Sequence, residues 1–319
     1  METHLNHPKK PAADVSASTV KKPTMGSVRC LHAAGAELGE GLMWSAREQV
    51  LYWVDILGRR LHCLEPLSGI HTHWDFAEEI SAVAERRERA GLIITLRRGF
   101  ALFDPATDAE PTYLYQPAEE PPGNRFNDGK CDAQGRFWAG TMDFACEAPT
   151  GALYRFDPDG PCVRHSLAYV VTNGPTWALG ETGLGMYFND TVNGRVHRFD
   201  FDPATGALSN QRLWLQLAPG DGLPDGMTTD ALGRIWLAHW GAACVTCHHP
   251  VTAEELARVE LPTSHVTNCT FGGPDLHTLF ISTARTGLTP EQLAAEPLAG
   301  GLFAVLVDCP GLPANMFAG

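Results

Sequence analysis

Six pairs of short apolar-aromatic segments recur along the chain, and their spacing narrows the fold more than any other feature. The first members are Leu51-Tyr52-Trp53-Val54-Asp55, Leu92-Ile93-Ile94-Thr95, Arg136-Phe137-Trp138-Ala139-Gly140, Met186-Tyr187-Phe188-Asn189, Arg234-Ile235-Trp236-Leu237-Ala238 and Leu279-Phe280-Ile281-Ser282. Successive starts lie about 40 to 50 residues apart, the period of propeller blades. A second strand-like segment follows each, from Leu61-His62-Cys63-Leu64 in the first pair to Gly301-Leu302-Phe303-Ala304-Val305 in the last. Turn chemistry precedes several, as in Asp132-Ala133-Gln134-Gly135 and Asp230-Ala231-Leu232-Gly233. Helical periodicity is nearly absent, so the pattern predicts an all-β fold, a six-bladed β-propeller. The final strand, near 301–307, is expected to share a blade with the segment near 27–32. Residues 252–258 and 289–295 read as short helical decorations, and the Pro-rich stretch 117–123 as a loop over one face. A β-sandwich with a second domain is the competing architecture, but it needs no six similar units. Residues 1–25 are polar and rich in Lys, Pro and Ser. They read as a disordered extension with an alternative start at Met25, ahead of a single propeller domain over 26–319.

A formal net charge of −13 argues against nucleic acid or an anionic membrane as the main partner. No apolar run is long enough to span a bilayer, and the first twenty-five residues lack a signal-peptide core, so a cytoplasmic location is expected. Nine cysteines, odd in number and scattered, do not resemble a disulfide framework. Cys244-Val245-Thr246-Cys247-His248 satisfies the c-type haem pattern, but it falls where other blades carry a strand. Metal binding by this Cys-His group, or a buried pair of thiols that binds nothing, are the readings kept open.

The chemistry is carried elsewhere. Gly39-Glu40-Gly41, Asn127-Asp128-Gly129, Thr172-Asn173-Gly174 and Pro224-Asp225-Gly226 each put a side-chain oxygen beside glycine, some ten residues before an aromatic strand. Equivalent positions on propeller blades surround one axis, so Glu40, Asn127, Asn173 and Asp225 are expected at one mouth of the channel. Any one such pair is also an ordinary turn; four at matching points suggest a shared site. An all-oxygen set with two carboxylates suits a hard divalent cation. Neither GxSxG nor HExxH is present.

With LGEGLMWSAREQVLYWVDI (38–56), RFNDGKCDAQGRFWAGTM (125–142), TNGPTWALG (172–180), LPDGMTTDALGRIWLAHW (223–240) and FGGPDLHTLFIST (271–283) in view, the chain resembles the senescence marker protein, gluconolactonase and luciferin-regenerating enzyme family, which includes regucalcin. The resemblance runs from about Leu38 to Gly301. It implies a six-bladed propeller with one divalent metal ion (calcium, magnesium, manganese, zinc or iron) held by Glu40, Asn173 and Asp225. It implies substrate contacts from Arg125 and Asn127, with Asn127 divided between substrate and metal. The implied activity is metal-dependent hydrolysis of a small-molecule sugar-acid lactone, with Asp225 as first choice for the general base. Another metal-dependent esterase, such as a phosphotriesterase, and a non-catalytic binding propeller are the alternatives. Ala145 replaces a carboxylate that regucalcin carries, and Asp143 is the nearest substitute. Asn189-Asp190-Thr191 and Ala242-Ala243-Cys244 also depart from the family pattern, and changes there are expected to alter the pocket rim.

Overall fold

The computed structural model describes residues 20–319, apart from the side chains of Ser166 and Leu167. Six four-stranded antiparallel sheets succeed one another in chain order. The strands are β1 (Arg29–His32), β2 (Gly39–Ser45), β3 (Val50–Asp55), β4 (Arg60–Leu64), β5 (His71–Asp75), β6 (Ile80–Glu85), β7 (Leu92–Leu96), β8 (Gly99–Phe103), β9 (Thr112–Tyr115), β10 (Asn124–Cys131), β11 (Phe137–Asp143), β12 (Gly151–Phe156), β13 (Cys162–Tyr169), β14 (Thr172–Gly180), β15 (Gly183–Asp190), β16 (Arg195–Phe201), β17 (Leu208–Gln216), β18 (Leu223–Thr229), β19 (Ile235–Trp240), β20 (Cys244–His248), β21 (Glu255–Glu260), β22 (Val266–Gly272), β23 (Thr278–Thr283) and β24 (Leu302–Leu306). Blades one to five are consecutive quartets from β2 to β21. The sixth is β22-β23-β24 completed by β1, so both ends of the chain share one sheet, as the sequence led us to expect.

Each blade runs from a first strand near the axis to a fourth strand at the rim. The second strand is enclosed between neighbouring blades, which is why it reads as a continuous apolar run rather than an alternating one. Trp53 on β3, Trp138 on β11 and Trp236 on β19 are among the largest fully buried side chains. The outer strands β5, β9 and β17 are exposed or half-buried along their whole length.

Two blades share a hairpin staple already visible as DAQGRFW and DALGRIW. In the third blade Asp132 accepts from Arg136 Nε at 2.6 Å and from Trp138 Nε1 at 2.9 Å. In the fifth, Asp230 accepts from Arg234 Nε at 2.6 Å and from Trp236 Nε1 at 2.9 Å. All four charged groups are buried. One carboxylate therefore closes the turn, neutralises the guanidinium and orients the indole that fills the blade.

Three expectations are adjusted. Residues 252–258 are not helical: after a turn at Ala253 (φ 59°) the chain forms β21, whose pairing with β20 buries Leu256 and Val259. The other expected helix is present as α1 (Pro290–Ala295), with Thr289 and Gln292 forming a capping box. Residues 1–19 of the expected extension lie outside the described residues, but the packed chain begins before residue 26. Met25 bridges to Val307, and Lys21 O accepts from Arg234 Nη1 at 2.7 Å. The Cys-His group does not converge either. Cys244 and Cys247 point to opposite faces of β20; Cys247 packs in the apolar core, while His248 is hydrogen-bonded to Thr246 and to Ala253 O. Among the described residues no helix is long and apolar enough to cross a membrane.

The staple yields a stability prediction. Asp230→Ala leaves the Arg234 guanidinium buried without its anion, so a loss of about 3–5 kcal/mol is expected in urea unfolding. Asp75→Ala breaks an ion pair with Arg60 whose partners are 65% and 48% exposed, and should leave the urea midpoint nearly unchanged.

Candidate active site

The first strands β2, β6, β10, β14, β18 and β22 line the axis, and each carries a register irregularity. Four of these fall on the oxygen-glycine motifs: Glu40/Met43, Phe126/Gly129, Asn173/Thr176 and Pro224/Met227. A bulge turns side chains off the regular alternation, which is how polar groups reach the axis from strands otherwise committed to packing. The glycines permit the approach. Gly41 has φ 56°, and a Cβ there would meet Ser81 O at 2.9 Å; a Cβ on Gly226 would meet the Asn268 amide at 2.4 Å.

Glu40, Arg125, Asn127, Asn173 and Asp225 all line one cavity of about 410 Å³, and all five are buried. They form a continuous network. Arg125 Nη1 donates to Asn127 Oδ1 at 2.6 Å. Asn127 Nδ2 donates to Thr172 O at 2.7 Å and to Asn173 Oδ1 at 3.0 Å. Asn173 Nδ2 donates to Thr191 Oγ1 at 3.0 Å, and Thr191 donates to Pro224 O at 2.9 Å. Both amide protons of Asn127 are thus used within the protein, and the group it can turn to a ligand is its oxygen.

The carboxylates meet across the axis. Glu40 Oε2 accepts from Gly41 N at 3.0 Å and from Asn268 Nδ2 at 2.9 Å, and the Asp225 carboxyl lies close enough to influence its proton. Burial, reinforced by the charge of Asp128, pushes the Glu40 carboxyl up to about 7. Asp225 is raised well above the usual carboxylate range, by burial first and then by Glu40 and Asp128. Burial also lowers the Arg125 guanidinium to about 10. Two buried acids holding protons this tightly form a donor set that a divalent cation would satisfy, because it lets both ionise together. No group of three or more His, Cys, Asp or Glu among the described residues is disposed to hold a metal. A site here therefore depends on amide oxygens as well as the two carboxylates.

Two contributors escaped the sequence reading. Asp128 directly precedes glycine in its motif, as Glu40, Asn173 and Asp225 do in theirs. Asp128 lies buried beneath the site, accepting from Gly129 N at 2.8 Å and from Gly174 N at 2.9 Å. Asn268, which braces Glu40, belongs to Thr267-Asn268, the same dipeptide as Thr172-Asn173 but without the following glycine. The departures also find their places. Asn189 donates to Asp225 O, and Thr191 ties Asn173 to Pro224, so this segment clamps the fourth and fifth blades together at the site. Asp143, the suggested substitute for the carboxylate lost at Ala145, instead accepts from Glu147 N and Ala148 N, both at 2.9 Å, and caps its own loop. Phe144 and Cys146 line the cavity on either side of Ala145.

Comparison with known proteins places these features in context. A family model described as the SMP-30/gluconolactonase/LRE-like region matches residues 38–285. The 6-deoxy-6-sulfogluconolactonase of Pseudomonas putida is 36% identical over 297 residues, covering 92% of this chain and 99% of that protein. Regucalcin of Xenopus laevis is 31% identical over 298 residues, covering 92% of this chain and 98% of that protein. The crystal structure of a calcium-binding protein, regucalcin, from Agrobacterium tumefaciens superposes with a TM-score of 0.85 at 28% identity, over 92% of this chain and 98% of that one.

The raised carboxyls predict a pH dependence for the chelated protein. Glu40 holds its proton to about 7 when folded and to about 4.5 when not. Its contribution to stability is therefore full below the lower value and lost as pH rises through the upper one. In chelator, the melting temperature should fall from about pH 5 to about pH 8, and Glu40→Gln should flatten that fall.

Proposed function

Because the chain belongs to the SMP-30/gluconolactonase/LRE-like family, we propose that it hydrolyses the ring ester of a sugar-acid lactone, with one divalent metal ion held by Glu40, Asn173 and Asp225. The observation that carries this reading is the convergence of those three residues with Arg125 and Asn127 in one buried-floored cavity. The relatives support the substrate class, since one bears the name of a gluconolactonase. The description of regucalcin as calcium-binding supports the metal.

When bound, a divalent ion would polarise the lactone carbonyl and stabilise the charge that develops on its oxygen. The side chains supply the rest. A water molecule adds to the carbonyl carbon and loses a proton, for which Asp225 is the acceptor. The ring carbon–oxygen bond then breaks, and the departing oxygen takes a proton back, giving the open hydroxy acid. Ligation lowers the basicity of Asp225, and its buried position beside Glu40 opposes that effect. Arg125 faces the floor with a fixed guanidinium and donates to the carbonyl oxygen or a ring hydroxyl. Asn127 presents its oxygen, either to a hydroxyl or to the metal, while its amide protons hold Thr172 and Asn173 in place.

The test separates metal ligands from substrate contacts. Glu40→Gln and Asp225→Asn should abolish turnover of a lactone panel with the fold retained. Asn173→Ala should lower metal affinity, and excess metal should partly restore its rate. Arg125→Ala should keep its metal and lose about ten- to hundredfold in kcat/KM, not repaired by metal, since a charge-assisted hydrogen bond in the transition state contributes about 1.5–3 kcal/mol. Metal stoichiometry beside kinetics is the measurement. Full turnover by exhaustively chelated protein, or hydrolysis of an organophosphate ester in preference to every lactone, would overturn the reading.

A further inference from the structure

The floor of the active-site cavity is polar, but its wall is not. Above Glu40, Arg125 and Asp225 the cavity is walled by Leu57, Phe144, Val192, Leu223 and Trp240. These come from separate places: Leu57 follows β3, Phe144 follows β11, Val192 follows β15, and Leu223 and Trp240 begin β18 and end β19. Leu57, Phe144 and Val192 are 37%, 39% and 44% exposed. Single exposed hydrophobics need no explanation, but three from different blades meeting at the mouth of one cavity form a patch.

The wall is also held in place. The Phe144 ring lies under the guanidinium of Arg97, at 4.9 Å from its centroid, and near that of Arg125, at 5.8 Å. Trp240 stacks on His265 with ring centroids 4.0 Å apart and planes 19° from parallel. A fixed aromatic and aliphatic wall above a charged floor favours a ligand with a polar end and an apolar end. Leu57, Val192 and Leu223 offer no hydrogen-bond partner to a hydroxyl placed against them. On the third-blade side of the wall Asp143 is turned into its own loop.

We propose that the preferred substrate is a sugar-acid lactone whose arm on the ring carbon next to the ring oxygen carries no hydroxyl, with the ester on the polar floor and the arm along the Leu57–Phe144–Val192 wall. The proposal rests on lactone hydrolysis at this site and narrows the substrate within it.

The test is kcat/KM for the metal-loaded enzyme on γ-butyrolactone and its γ-alkyl homologues of increasing length, with glucono-δ-lactone as the polyhydroxylated reference. Each added methylene should raise kcat/KM by about two- to fourfold until the arm clears the rim, the upper figure corresponding to a fully buried methylene. Phe144→Ser and Val192→Ser, at exposed positions, should each reduce the advantage of the longest arm over the unsubstituted ring by at least about threefold. If the series is flat while glucono-δ-lactone is hydrolysed, the apolar-arm proposal fails and the lactonase reading stands. If the variants keep the full chain-length dependence, the wall is not what reads the arm, and the proposal also fails. If no lactone is turned over by metal-loaded enzyme, the lactonase reading itself fails.

Discussion

Everything at the axis depends on the ring being closed by β1 pairing with β24. Six blades that each bury a face against the next form a self-consistent packing only when the sixth also meets the first. That closure comes from hydrogen bonds between strands at opposite ends of the chain, Arg29 opposite Ala304 and Cys30 opposite Phe303. With the ring closed, no blade leaves a long unpaired edge at the interior, and the first strands are held at fixed angles around one line. Glu40 and Asn268, on the first and sixth blades, then sit within a hydrogen bond of each other although 228 residues separate them. Without closure, the two carboxylates and two amides of the floor would have no reason to share a cavity.

Holding Glu40 and Asp225 together away from water is unfavourable on its own, since both are buried and each raises the other. The surrounding network offsets part of that penalty. Asn268 and Gly41 donate to Glu40, two backbone amides neutralise Asp128, and Asn189 and Thr191 fix the backbone on which Asp225 rides. These donors explain why strand bulges, rather than loops, carry the floor. A carboxylate placed against its own kind must be positioned to within a few tenths of an ångström, and a strand paired on one side and packed on both faces provides that rigidity.

The architecture was legible because the second strand of every blade is enclosed, and enclosure writes a continuous apolar run that no local rule can disguise. Residues 252–258 misled for the opposite reason. Their composition is helical, and only pairing with β20, a tertiary fact, makes them a strand. At the site the oxygen-glycine motifs mark where the floor forms but not which side chain faces the cavity; the bulge at Phe126/Gly129 turns both neighbours inward, Asn127 toward the cavity and Asp128 beneath it. Asn268 was missed because its backbone needs no glycine. The wall of Leu57, Phe144 and Val192 was illegible altogether, since isolated hydrophobics in loops share no spacing until the ring brings their blades together.

This division between floor and wall also determines the route of approach. The far end of the channel opens on a second cavity of about 440 Å³, lined by Asp128 and Lys130 and crossed by the C-terminal segment at Leu312, Pro313, Ala314 and Asn315. That segment is anchored on both sides. Gly311 N bonds to Leu276 O at 2.9 Å, and Phe317 is buried among side chains of the second and third blades. A strap tied down at both ends leaves the loop-built mouth as the way in. On the proposed function, a substrate would meet Leu57, Phe144 and Val192 before Arg125 or Asp225. Selection by the wall would then precede chemistry on the floor, and wall and floor come from different parts of the blades: loops that tolerate exchange, and bulged strands that do not.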